Sequence, residues 1–452
     1  MKTKNKPEDA RRIIGYEIAY RSFWHFCLHY DKTFFKSRVF LREVAESMQE
    51  IEEQTIKSLS VSMPPRAGKS YITSLFCAWV IGRNPEESVM RNTCTATLYI
   101  KFSYDVRTIV KSDKFRTIFD VRLSEDKSNL QGWNTNTAKM VSYFGAGVGG
   151  TIIGFGATKI GVTDDLYRGL EDALSDTVND RIIQWKEATH DSRFETGCAR
   201  IDIGTRWSIN DVIGRNMENG IYDKSIIVQA LNDKDKSFCE SVMTTEEYID
   251  KRKKTPPEIW SAEYQQNPVD LKGRLFSELE EIKPEEFEEI KGKIEGYISY
   301  IDVADMGNDY TSMAIGGILG DKVYIVDYLF NRDNTDITIP LVVDKLNKWN
   351  VSYCRIESNS MGAMFSRSVQ KLVTKTKILQ VHNTQNKITR IIMQSAFIMN
   401  TMVFVRYEKP DCTLFMENVI SFSKEGKNKN DDAPDTLSGL SMFIRSMFKK
   451  LF

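Results

Sequence analysis

The chain of 452 residues predicts an α/β protein of two or three domains, since one hydrophobic core does not grow to this length. Three observations lead there. Short apolar strands alternate with helical stretches from residue 58 to about 230. A charged stretch follows over roughly 240–295. A strand pattern then restarts at 296. The first half reads as βαβ units in a mainly parallel sheet, the second as a sheet that opens with an antiparallel meander. The boundaries expected from this are 1–57 for an N-terminal helical segment of the first domain, 58–240 for its core, 241–295 for a linker or subdomain, and 296–452 for the second domain.

Residues 1–57 carry Tyr16, Ile18, Phe23, Trp24, Phe26, Phe34, Phe35, Phe40 and Leu41 interleaved with charge. Such a pattern suits packed helices capping the core, with stacking of an aromatic on a nucleotide base as the alternative. Strands are expected at 58–63, 88–93, 139–144, 159–163, 200–204 and 225–229. The glycine-rich run from Phe144 to Gly156 suggests tight turns or a loop beside a ligand. In the charged stretch, Lys251-Arg252-Lys253-Lys254 and the acid-rich run from Glu278 to Glu289 suit solvated helices of a connector. From 296, strands are expected at Tyr297–Val303, Ser312–Ile318 and Lys322–Tyr328, then a helix around 338–349 and a strand at 351–356.

Composition narrows the function classes. Lys plus Arg and Asp plus Glu both number 62, so any polyanion must be held by local basic patches and not by bulk charge. Seven scattered cysteines form no C-x-x-C pair and there are only four histidines, which argues against zinc and disulfide frameworks and for thiols in a reducing cytosol. The basic Met1–Lys6 stretch leads into no apolar signal core. No run of about 18 apolar residues suggests a membrane span.

Met63-Pro64-Pro65-Arg66-Ala67-Gly68-Lys69-Ser70 follows the alternating run Ser58–Ser62 and precedes Tyr71, Ile72, Leu75, Phe76 and Trp79 at helical spacing. This is the strand, loop and helix that a phosphate-binding loop requires. The Gly68 backbone can approach phosphate oxygens closely. Lys69 can reach the outer phosphates, Ser70 can hold Mg²⁺, and the helix N-terminus favours the anion. Met63 stands where the usual loop has its first Gly.

Lys159-Ile160-Gly161-Val162-Thr163-Asp164-Asp165 ends an apolar strand in two carboxylates. There Asp164 can serve the Mg²⁺ of a bound triphosphate, and Asp165 can orient the attacking water. Thr205 and Arg206 end a further strand and can sense the terminal phosphate. The second domain has its own acids. Asp302 lies on the first strand, Asp305 and Asp309 in the turn after it, Glu357 after a later strand, and Asp431, Asp432 and Asp435 at the start of a helix. A strand Asp, a strand-end Glu and a helix Asp form the pattern of a ribonuclease H-like nuclease, whose carboxylates bind two divalent ions about 4 Å apart.

Taken together and in order, these motifs resemble the large terminase subunits of tailed bacteriophages over about residues 55–445. The loop is similar to that family's Pro-Pro-Arg-x-Gly-Lys-Ser variant, in which the first Gly is absent. Asp164-Asp165 with Glu171–Ser175 resembles its Walker B stretch, and Thr205-Arg206-Trp207 with Asn210-Asp211 its coupling motif. Tyr264-Gln265-Gln266-Asn267-Pro268 resembles its inter-domain Tyr-Gln-Gln-x-Pro. Asp302, Glu357 and Asp431–Asp435 match its nuclease acids. Tyr167-Arg168 departs from the Pro and Lys common after the Walker B acids.

The resemblance implies an N-terminal P-loop ATPase with a mainly parallel sheet and a C-terminal ribonuclease H-like nuclease. It implies catalytic roles for Asp165, Asp302, Glu357 and Asp435 and for an arginine finger, for which Arg66, Arg83, Arg91 and Arg107 all lie in plausible places and Arg66, the loop's own arginine, is favoured. Nucleotide contacts would come from Pro65 to Ser70 and from Asp164, Thr205 and Arg206. Metal ligands would be Ser70 and Asp164 with Mg²⁺, and Asp302, Asp309, Glu357, Asp432 and Asp435 with two Mg²⁺ or Mn²⁺. The activity implied is ATP-driven movement of double-stranded DNA into a procapsid and endonucleolytic cutting of concatemers. Its implied partners are a small terminase subunit, a portal protein and other copies in a ring, and its setting is the host cytoplasm. A helicase-like repair enzyme with a fused nuclease, or a DNA-binding assembly protein with dead sites, would share these motifs. The basic C-terminal stretch Phe443–Phe452 suits either a docking helix or a frayed end.

Overall fold

The computed structural model describes residues 6–152, 154–268, 274–276, 278–304, 310–357, 362–383, 385–423, 428 and 430–448. The chain divides into two compact units, Met1–Arg252 with Glu258–Asp270, and Lys253–Pro257 with Leu271–Phe452.

The first unit is built on eight strands: β1 (Ser58–Ser62), β2 (Val89–Thr93), β3 (Leu123–Ser128), β4 (Gly132–Thr135), β5 (Tyr143–Phe144), β6 (Ile160–Asp164), β7 (Ala199–Gly204) and β8 (Lys224–Ile227). They lie in the order β3-β4-β5-β2-β6-β7-β1-β8. From β5 to β8 all neighbours are parallel, and β3, β4 and β5 are antiparallel. The parallel strands are covered on both faces, so Leu59, Val61, Ile160, Val162, Ile201 and Ile203 are all buried.

The helix Lys69–Arg83 is buried almost all round. Phe23, Phe26, Phe35, Leu41 and Met48 of the N-terminal helices pack in the same core as its Phe76 and Trp79. The early aromatics therefore form a cap, as the packed-helix reading expects.

Two expectations shift in this unit. The strand expected at 139–144 shrinks to Tyr143–Phe144, because the chain bends after β4 and Thr135 Oγ1 takes the Ala138 N–H at 3.2 Å. The glycine-rich run serves close backbone packing as well as turning. A Cβ on Gly145 would lie 1.9 Å from the Arg91 carbonyl oxygen, and one on Gly147 would lie 2.3 Å from Ala96 N.

The second unit has seven strands: β9 (Glu280–Ile282), β10 (Gly296–Asp302), β11 (Thr311–Leu319), β12 (Lys322–Asn331), β13 (Tyr353–Glu357), β14 (Lys377–Val381) and β15 (Met402–Val405). Their order is β14-β13-β10-β11-β12-β15-β9. β10, β11 and β12 form the expected antiparallel meander, while β13, β14, β15 and β9 join in parallel. The helix Asp432–Met447 packs on β10 and β11 and buries Leu437, Leu440, Phe443 and Ile444. The C-terminal basic stretch is thus helical as far as Met447 and packed as far as Ile444, with Arg445–Met447 exposed, and Lys449–Phe452 lie outside the described residues.

The charged stretch is not a free connector. Tyr248, Trp260 and Tyr264 are buried with Ala230 and Leu231 in the first unit. Glu280–Ile282 becomes an edge strand of the second, where Glu280 pairs with Lys322 at 2.6 Å. Arg252, in the basic run, is held by Asp235 at 2.7 Å.

Candidate active sites

Parallel α/β sheets gather ligand sites at the carboxyl edge of their strands. β1, β6 and β7 are neighbours in register, with Ser62 beside Gly204 and Asp164 beside Ile203. The loop 63–70, the Asp164-Asp165 pair and Thr205 therefore share one edge.

Gly68 has φ 106°, and the ring of Phe34 would lie 3.0 Å from a Cβ placed there. Only glycine suits both the left-handed backbone and the crowding. The loop leads straight into the helix that starts at Lys69, so its N–H groups and dipole point to where an anion would sit. Lys69 is buried. Its Nζ donates to Met63 O at 2.8 Å, Pro64 O at 3.2 Å and Thr205 Oγ1 at 2.9 Å. Arg66 is exposed on the loop with φ 66°.

Asp164 is fully buried, and a buried carboxylate needs a partner. Arg91 of β2, equally buried, supplies it through Nε at 3.2 Å and through a second, shorter contact from Nη2. Arg91 also donates to Ser74 Oγ at 2.8 Å and Ser70 O at 3.1 Å, and its guanidinium lies over Phe102. Ser70 Oγ reaches Asp164 at 3.4 Å. Asp165, with φ 49°, accepts the Thr205 N–H at 3.1 Å. Burial pushes its carboxyl above the usual range; Lys69 opposes this and Asp164 adds to it.

Lys69, Thr205 and Asp165 thus form one connected set. Arg206 is turned elsewhere. Its Nε lies 3.0 Å from both oxygens of Asp211, and its backbone N–H donates to Gln266 Oε1 at 3.0 Å. The side chain of Gln265 pairs with both the N–H and the carbonyl of Leu231.

In the second unit, Asp302 ends β10, Glu357 ends the neighbouring β13, and Asp435 lies in the first turn of the helix Asp432–Met447. One carboxylate oxygen from each falls within 4.8 Å of the others. A compact set of oxygen donors suits hard divalent cations. Asp432 accepts the Tyr310 N–H at 3.2 Å. Asp305 and Asp309 lie outside the described residues. Tyr300 donates its O–H to Glu357 at 3.1 Å, and Asn383 donates to the same oxygen at 3.0 Å. Burial, reinforced by Asp435, Glu357 and Asp432, pushes Asp302 well above the carboxylate range, with Lys387 opposing. Asp435 is raised by burial as well, against Arg390 and Lys387.

Sequence reading missed the cations here. Lys387 and Arg390 stand three apart on the helix Lys387–Thr401 and face the acids. Arg390 is buried and forks onto both oxygens of Asp435 at 2.5 Å. Lys387 Nζ lies 2.8 Å from Asp431 and 3.2 Å from Asp432. The only local signal was a pair of cations on a helix otherwise rich in Ile and Met. In the first unit, the signal for the Arg91–Asp164 pair was an arginine inside a central strand, where it must be paired.

Geometry and strand order together define a two-unit α/β protein, with a P-loop-type edge in one unit and a ribonuclease H-type carboxylate cluster in the other. Residues 301–402, which span Asp302, Glu357, Lys387 and Arg390, match the family described as Terminase Bacteriophage T7, Ribonuclease H-like domain. No match was found among curated protein sequences. Among solved structures, the large terminase of a thermophilic bacteriophage (crystal form 2) aligns with a TM-score of 0.52 and 10% identity, over 89% of this chain and 98% of that one. The HK97 bacteriophage large terminase aligns at TM-score 0.36 and 10% identity, over 87% and 92%. The human cytomegalovirus terminase nuclease domain, Mn-soaked and inhibitor-bound, aligns at 0.26 and 12%, over 33% and 83%. Residues 301–402 are thus similar to a terminase ribonuclease H-like domain, and the chain shares the fold of the thermophilic bacteriophage's large terminase, as its motifs led us to expect.

Proposed function

We propose that this chain is the large terminase subunit of a tailed bacteriophage, which drives double-stranded DNA into a procapsid by ATP hydrolysis and cuts concatemeric DNA with its second unit. The observation that carries the reading is the convergence of Asp302, Glu357 and Asp435, from two neighbouring strands and a helix, within 4.8 Å, inside or next to the terminase-matched segment.

In the first unit the residues suit MgATP. The Gly68 backbone and the following helix N-terminus hold the phosphates, and Lys69 exchanges its carbonyl partners for the outer phosphate oxygens. Ser70 and Asp164 are the residues for Mg²⁺, and Asp165 orients the attacking water. Arg66, exposed on the loop, is free to face the transferring phosphoryl group. When the outer phosphate leaves, Lys69 returns to Met63 O, Pro64 O and Thr205. Thr205 thus registers the state of the nucleotide. Its neighbour Arg206 passes this to Gln266 through the backbone hydrogen bond, just before the chain crosses into the second unit.

In the second unit, two Mg²⁺ or Mn²⁺ ions would supply a nucleophilic hydroxide and stabilise the leaving oxygen. Asp302, Glu357, Asp432 and Asp435 are the residues that would hold them, and the resemblance adds Asp309, which lies outside the described residues. Tyr300 and Asn383 fix the Glu357 carboxylate. A small terminase subunit, a portal protein and further copies of this chain are the partners of such a motor, and the host cytoplasm is its setting.

The test incubates the purified full chain with plasmid DNA and Mn²⁺ or Mg²⁺, comparing wild type with Asp302→Ala. Metal-dependent cutting lost in the variant is the expected result. Failure of the wild type to cut, with ATP hydrolysis intact, would overturn the nuclease half of the proposal.

A further inference from the structure

The cation Lys387 is placed against the interest of its own helix. It is the first residue of Lys387–Thr401, whose N-cap Asn386 accepts the Thr389 N–H at 3.2 Å. A positive charge in the first turn opposes the helix dipole. The acids explain it. Nζ lies 2.8 Å from Asp431, 3.2 Å from Asp432, 3.6 Å from Asp435 and 3.8 Å from Asp302. It stands within the space that the carboxylates enclose.

The two cations of this helix differ in freedom. Arg390 is 4% exposed and forks onto Asp435 in a fixed plane. Lys387 is 34% exposed, a point charge on a flexible stem that opens to solvent. A divalent ion drawn in by Asp302, Glu357 and Asp435 would come within a few ångströms of Nζ, where the two positive charges repel.

We propose that Lys387 is a displaceable counter-ion of the nuclease site. Without metal it holds the mutually repelling carboxylates together, and it withdraws when divalent ions enter. It is a positioning residue that sets how much free metal the site requires. The inference rests on the two-metal reading of this cluster.

The test is Mn²⁺ binding to the full chain by titration calorimetry, with no DNA and no nucleotide, so that no turnover enters the readout. Asp302→Asn is titrated alongside to separate this site from metal taken up at the P-loop. Lys387→Met is expected to bind Mn²⁺ about 10-fold or more tightly than wild type, the scale on which groups around the ligands tune metal affinity. Lys387→Arg, which keeps the charge, is expected to stay near the wild-type value. Lys387→Gln carries the same expectation as the Met variant should that one not fold. Unchanged or weaker binding by Lys387→Met, where Asp302→Asn still weakens binding, overturns the counter-ion role and leaves the metal site standing. Binding that ignores Asp302→Asn removes the site itself, and the inference with it.

Discussion

The two sites are electrostatic mirror images. In the first unit a cation, Lys69, which we propose meets an anionic ligand, rests on neutral oxygens: two loop carbonyls and the Thr205 hydroxyl. In the second, the carboxylates we propose for divalent ions rest on other cations, Lys387 and Arg390. Neutral partners are given up easily, because a neutral hydrogen bond contributes only about 1 kcal/mol net. Charged partners compete with the incoming ligand directly. On the proposed reading Lys69 is therefore poised for its ligand, whereas the second site's acids, like Asp164 beside Arg91, are screened by cations.

The sharpest way to break this comparison is to remove one charge from each site and ask whether the losses stay separate. Lys69→Ala is expected to lower ATP hydrolysis by on the order of 10³-fold, the scale of losing one preorganised electrostatic contact, and to leave plasmid cutting unchanged. Asp435→Ala should do the reverse. Phosphate release and gel assays on the same preparations measure both, and equal losses in both assays for either variant would show that the sites are not independent.

The ion pairs differ as well. Arg91 and Asp164 are both fully buried, whereas Lys387 remains a third exposed. Arg91→Met leaves Asp164 as an unpaired buried charge and should destabilise the first unit by about 3–5 kcal/mol. Lys387→Met should destabilise the metal-free protein too, but by less than Arg91→Met, because Lys387 is a third exposed and Arg390 still pairs with Asp435. Denaturant melts with chelator present compare the two. Similar shifts would mean that Lys387 is as structural as Arg91.

How legible each site was follows from how local its parts are. The loop 63–70 is contiguous, so strand, loop and helix could be read off as one motif. Asp302, Glu357 and Asp435 could be singled out because each ends a strand or opens a helix, positions set by local pattern. Their partners could not. Arg91 meets Asp164 across 73 residues of sequence, and Lys387 and Arg390 meet Asp435 only once the sheet has placed the helix Lys387–Thr401 beside the helix Asp432–Met447. β9 was hidden for a related reason. Glu280-Glu281-Ile282 has no strand pattern of its own and is recruited by the edge of β15.

Gly439 ties packing to the second site. A Cβ there would lie 2.3 Å from Tyr300 Cζ, and Tyr300, with Asn383, donates to Glu357. Gly439→Ala should destabilise the second unit by about 1–3 kcal/mol through overpacking and should lower cutting as Glu357 shifts, while ATP hydrolysis stays at the wild-type rate. Cutting at the wild-type level would show that Tyr300 does not govern Glu357.

The smallest effect separates function from stability within the acid cluster. Burial and neighbouring carboxylates raise Asp302 well above its ordinary range despite Lys387. A carboxyl with its folded-state pKa above the unfolded value of about 3.9 holds more protons when folded, so stability falls as pH rises from that value through the folded one. At pH 7 the metal-free protein is then less stable for having Asp302. Asp302→Asn should raise stability in chelator by about 1 kcal/mol at pH 7, with the gain vanishing below about pH 4, where Asp302 is neutral in both states. Thermal melts at the two pH values measure it. A variant less stable than wild type at pH 7 would mean that the pull of Lys387 on Asp302 outweighs the repulsion, and the second site would then be held together by its charges as firmly as the first is by its backbone.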